Sequence, residues 1–172
     1  MKTQIRKYKC DECICFNSKN PRWNVLSNMY ACCLEHDGEV FNSVEQMFHL
    51  LVYRRVMELT KQCKNGFQVK ELCNKYLREM ERGDVLVDKY HILHLCHQVK
   101  YNCCQEFRDA LHRTGDKTLV EWCYWIYDNH IDTYGTYKDY DRNIYVGINL
   151  CGRSLMQLRD EHKNNASTVE CC

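Results

Sequence analysis

The chain has 172 residues, with 24 Lys plus Arg against 23 Asp plus Glu and a formal charge of +1. That balance excludes the electrostatic profile of a nucleic-acid scaffold or a membrane-surface protein, and 45% hydrophobic residues exclude wholesale disorder. Seven glycines and one proline are few turn formers for one domain of this length, so long helices are expected.

In chain order, residues 1–22 read as a polar lead-in carrying Cys10, Cys13 and Cys15. The first helix starts at Ser43. Ser43-Val44-Glu45-Gln46 is a capping box, and Val44, Met47, Phe48, Leu51, Val52, Val56 and Leu59 recur behind it at helical spacing. A second helix is expected over Gln68–Met80. A third runs from Val87 to Tyr101 with Ile92, Leu95, Cys96 and Val99 on its buried face. Gln105–His112 follows and stops at Gly115. Thr118–Tyr127 is rich in β-branched and aromatic residues and reads as strand or buried core. Residues 128–146 read as a long polar loop with four tyrosines, Asn149–Glu161 as a closing amphipathic helix, and residues 162–172 as a flexible tail. The class is α+β, a compact helix-rich single domain over residues 23–161.

Fourteen cysteines pose the question of disulfides or metal. The first residues carry no apolar leader and no run of 18 apolar residues occurs, so a cytoplasmic, thiol-reducing setting is expected. Cys10-x2-Cys13-x-Cys15 with Cys32-Cys33 and His36 lacks the two well-spaced pairs of a structural zinc site, and free thiols are the simpler reading. His91, His94 and His97 turn by about 60° per step on a helix and cannot converge on one ion. They are expected on a solvated face, with Cys73, Cys96, Cys103 and Cys151 in or near the core. No metal or cofactor is assigned. Phosphate-loop, dinucleotide, nucleophile-elbow and zincin motifs do not occur. Glu45 is the more informative residue, a carboxylate in the first turn of a helix whose dipole favours negative charge there.

Five short blocks, in order, resemble the NADAR family, which includes the YbiA-like N-glycosidases. Leu26-Ser27-Asn28-Met29-Tyr30 is similar to the family's L-S-N-F-Y opening, and Phe41-Asn42-Ser43-Val44-Glu45-Gln46 to its helix start. Lys100-Tyr101, Phe107, Leu111 and Thr114-Gly115 follow its central block, and Leu119-Val120-Glu121 its L-V-E. Gly147-Ile148-Asn149-Leu150-Cys151-Gly152, Leu155-Met156 and Arg159 are similar to its terminal signature. The chain departs from the family at Val52, where a lysine is usual, and near Val85, where a tryptophan is missing. It departs again at Asp132-Thr133-Tyr134-Gly135, which tightens D-x-x-W-G by one residue.

The resemblance implies hydrolysis of a ribosyl N-glycosidic bond, in an ADP-ribosylated guanine (free or within nucleic acid) or in a ribosylaminopyrimidine nucleotide. It implies Glu45 as the carboxylate at the anomeric carbon and Asp132 as the second acid. Asn28 and Asn149 become hydrogen-bonding partners of ribose or base. Tyr134, with Gly135 completing its motif, becomes the base-stacking residue, and Lys100 and Arg159 become either phosphate partners or structural ion-pair residues. The alternative is a weakened ADP-ribose or nucleotide-binding module on the same pocket.

Overall fold

In chain order the elements are β1 (Arg6–Lys9), β2 (Cys13–Phe16), β3 (Leu34–His36), β4 (Glu39–Phe41), α1 (Val44–Thr60), α2 (Lys89–Cys103), α3 (Gln105–Arg113), β5 (Thr118–Glu121), β6 (Thr136–Asp139), β7 (Ile144–Gly147) and α4 (Leu150–Val169). This is a mixed α+β fold. The computed structural model describes residues 4–63, 68, 70–72, 75, 89–123 and 134–169. The helix expected over 68–80 therefore lies largely outside the described residues, as does Asp132.

The N-terminal stretch is not a mere lead-in. β1 pairs antiparallel with β7, and β2 pairs in parallel with β5, placing Phe16 opposite Glu121. The apolar run Cys13-Ile14-Cys15-Phe16 makes this possible, because its last residue is fully buried in the core. The 128–146 stretch is also more ordered than expected where it is described. β6 and β7 form a hairpin closed by Tyr140–Asn143, with Asp139 Oδ1 accepting the Arg142 N–H at 3.1 Å and Asn143 at φ 51°. A parallel bridge between Trp122 and Thr136 joins β5 to that hairpin. β3 and β4 turn on Asp37-Gly38, both at positive φ, the backbone a two-residue hairpin needs for its twist.

The helices carry the core. α2 packs against both α1 and α4, and β5 lies on α4. Val44, Met47, Phe48, Val52 and Val56 form the buried stripe of α1, as the periodicity predicts, while Leu51 and Leu59 of the expected stripe are only partly covered. Gly115 ends α3 at φ 56°, its N–H donating to His112 O at 3.0 Å. The last helix runs on to Val169, so the expected tail is helical through most of its length. No helix among the described residues is long and apolar enough to cross a membrane.

The buried face of α2 is rotated from the one its apolar periodicity predicts. The buried side of α2 is Leu93, His94, Cys96, His97, Val99 and Lys100, while Ile92 and Leu95 are only partly covered. His94 and His97 are thus interior rather than solvated, because partners from distant segments meet their ring nitrogens. Cys96 and Cys151 are buried as expected, Cys103 is exposed, and Cys73 lies outside the described residues.

Candidate functional site

The first turn of α1 is closed from both sides. Ser43 Oγ accepts the Gln46 N–H at 3.2 Å, and Gln46 Oε1 accepts the Asn42 N–H at 2.7 Å, a capping box that reaches back one residue further than usual. Glu45 N–H, which has no partner inside the helix, donates to Asn28 O at 3.1 Å. The Glu45 side chain is 40% exposed, with Oε1 3.0 Å from His49 Nε2. Next to this pair stands an aromatic corner. Phe48 meets the His49 ring at 5.6 Å between centroids and meets Tyr134 edge-to-face at 5.5 Å. A half-exposed carboxylate beside an aromatic edge can face a cationic carbon and a flat base together.

Asn28 ties this turn to the interior. Its side chain is buried, with Oδ1 2.8 Å from His97 Nε2 and Nδ2 donating to Cys151 Sγ at 3.2 Å. Burial, reinforced by the charges of Lys100 and His94, pushes His97 well below the usual histidine range, so its ring is neutral. Burial, then the charge of Glu121 and a hydrogen bond to it, pushes the Cys151 thiol well above its usual range. Cys151 is accordingly a protonated thiol between Asn28 and the Glu121 carboxylate. Glu121 carries no role in the sequence reading. The signal available was an acidic residue closing a buried β-branched run.

Gly135 lies against the same strand. A Cβ there would collide with Cys123 Sγ and sit 3.1 Å from Glu121 O and 3.6 Å from Glu121 Oε2, so the backbone approaches more closely than a side chain allows. Tyr134 O accepts the Cys151 N–H at 3.0 Å, and Gly135 O accepts the Asn149 N–H at 3.2 Å. Glu45, Asn28, Glu121, Tyr134 and Gly135 are thereby joined through Phe48, Cys151 and Asn149.

Besides Asn28, three residues that the resemblance names as substrate partners have their side-chain polar groups engaged inside the protein. Lys100 is fully buried. Its Nζ donates to Val25 O at 2.7 Å and Ser27 O at 2.9 Å and lies over the Tyr30 and Phe107 rings. Burial pulls its ammonium down to about 8, against the neighbouring Cys32, Cys104, Glu106 and Glu121, which favour the charged form. Arg159 is buried and directs Nη1 to Thr114 Oγ1 and Lys117 O, both at 2.9 Å. Asn149, fully buried at φ 57°, donates to Leu119 O at 2.9 Å and accepts the Glu121 N–H at 3.1 Å, stapling α4 to β5. These polar groups face inward because backbone carbonyls and amides there need partners.

Among the described residues no group of three or more His, Cys, Asp or Glu side chains is placed to hold a metal ion. Comparison with known proteins finds no family model and no curated protein that matches the chain.

Proposed function

We propose that the chain is a NADAR-like, YbiA-related N-glycosidase of the cytoplasm that hydrolyses the ribosyl C–N bond of an ADP-ribosylated guanine or of a ribosylaminopyrimidine nucleotide. The observation that carries this reading is the setting of Glu45. It is a half-exposed carboxylate in a capped first helical turn, held through Asn28 O and paired with His49, whose ring meets Phe48 and through it Tyr134. Breaking such a bond develops positive charge at the anomeric carbon. A carboxylate beside it stabilises that charge or activates water, while an acid protonates the departing base. Glu45 takes the first role and Asp132 remains the acid named by its motif. Glu121 is a second carboxylate on the same network, linked to Asn28 through Cys151. Tyr134 supplies the stacking face.

The experiment is hydrolysis of a panel of ribosylated bases, with free base followed by chromatography and ADP-ribose binding followed by calorimetry. Wild-type protein is expected to release base from at least one substrate. Glu45→Gln should lower that rate by about 100-fold or more while the fold is kept. Full activity in Glu45→Gln overturns the assignment of Glu45. Binding of ADP-ribose with no product from any substrate overturns the enzyme reading in favour of the binding module.

A further inference from the structure

Behind Asn28 runs a buried polar line that the proposed chemistry does not use. Glu161 Oε2 lies 3.2 Å from His94 Nε2, and His94 Nδ1 lies 3.2 Å from Ser154 Oγ. Ser154 Oγ lies 2.7 Å from His97 Nδ1, and His97 Nε2 lies 2.8 Å from Asn28 Oδ1. Asn28 Nδ2 then reaches Cys151 Sγ. Asn28, His94, His97 and Ser154 are all buried, where an unmatched donor or acceptor carries its full desolvation penalty.

The donor inventory sets the direction of this line. Asn28 Oδ1 can only accept, so the hydrogen in that contact belongs to His97 Nε2. A neutral His97 then has a bare Nδ1, which accepts the hydroxyl hydrogen of Ser154. Ser154 Oγ then has only lone pairs left for His94 Nδ1, whose other ring nitrogen faces the Glu161 carboxylate. The hydrogens from Ser154 onward point toward Asn28 and, through its NH₂, toward Cys151. The opposite direction requires Asn28 turned over, with its oxygen against sulfur.

We infer that His97 is a positioning residue for the candidate site. Held by Ser154 in the tautomer that carries hydrogen on Nε2, it locks the Asn28 side chain toward Cys151 and keeps the Asn28 carbonyl on the Glu45 N–H. Asn28 cannot relay a proton without rearranging its amide, so the line orients and does not conduct. The effect on turnover rests on the glycosidase reading above, whereas the wiring itself does not.

Long-range ¹⁵N–¹H NMR of the wild-type protein tests the wiring directly. His97 is expected as the Nε2–H tautomer, and observation of the Nδ1–H tautomer overturns the inference whatever the activity. Two variants test the positioning. His97→Gln keeps an N–H for Asn28 and an oxygen for Ser154, and His97→Leu keeps the bulk without either. His97→Leu should lower kcat about tenfold with KM little changed, the ratio of one lost hydrogen bond, and His97→Gln should recover most of it. Equal losses in the two variants overturn the positioning role. Should wild-type protein release no base at all, the glycosidase reading falls and the NMR result still decides the wiring.

Discussion

The Asn28 carbonyl accepts the backbone N–H of Glu45 at 3.1 Å, so the loop of Leu26–Tyr30 closes the helix that presents the candidate carboxylate. Two sequence blocks separated by a β-hairpin thus meet at a single hydrogen bond. The same loop supplies the Ser27 carbonyl that binds Lys100 and the side chain that His97 holds.

The cap of α1 is expected to matter to stability and site together. Ser43→Ala removes the acceptor of the Gln46 N–H and should lower unfolding free energy by about 1 kcal/mol, read from urea denaturation. Ser43→Asp, which keeps an acceptor at the same place, should stay within a few tenths of wild type. Equal losses would show that the cap is not the source.

The buried ammonium of Lys100 gives a pH signature. Its folded value of about 8 lies below the ordinary 10.5, so between these limits the unfolded chain binds more protons than the folded one. Its contribution to stability is therefore constant below about 8 and rises with pH across that window. Cys96 and Tyr30, each pushed up to about 12, act in the opposite sense, so the comparison is wild type minus Lys100→Met. That difference should rise by about 3 kcal/mol from pH 8 to 10.5, measured by denaturation at each pH. A flat or falling difference would mean that burial does not depress the Lys100 ammonium.

Two glycines should rank in a definite order. A Cβ at Gly152 would run into the Leu119 carbonyl and sit 2.6 Å from both Asn149 side-chain atoms, none of which can move freely. At Gly135 the nearest obstacle is Cys123 Sγ, a side-chain end that can rotate. Both alanine variants should be destabilised, Gly135→Ala by about 1–3 kcal/mol and Gly152→Ala by more, as read from thermal unfolding. The reverse order would contradict the packing of α4 on β5.

Asn149 should behave as a staple rather than a ligand. Asn149→Ala loses two buried hydrogen bonds and adds strain at positive φ, for a loss of about 2–4 kcal/mol. Asn149→Gly relieves the strain and should fall between alanine and wild type. A variant of unchanged melting temperature but weakened substrate binding would return Asn149 to the role of ligand.

Local patterns by themselves determined the parts of this protein that depend on neighbours three or four residues apart. Ser43 and Gln46 announce the start of α1, its apolar stripe announces the buried face, and Gly115 marks the stop of α3. Mixed α+β class and the interest of Glu45 follow from the same short-range signals. Only the tertiary structure decided which polar residues turn inward, since that depends on whether partners arrive from elsewhere in the chain. His97 meets Ser154 from 57 residues away and Asn28 from 69, and without those partners it would stay in water. Sequence leaves Lys100 and Arg159 open between phosphate partners and structural residues, and only the fold brings the carbonyls of Val25, Ser27 and Lys117 to them. The strands at Arg6–Lys9 and Cys13–Phe16 were hidden for the same reason. Each has four residues whose backbone hydrogen bonds are completed by strands more than a hundred residues later, and no local pattern encodes that pairing.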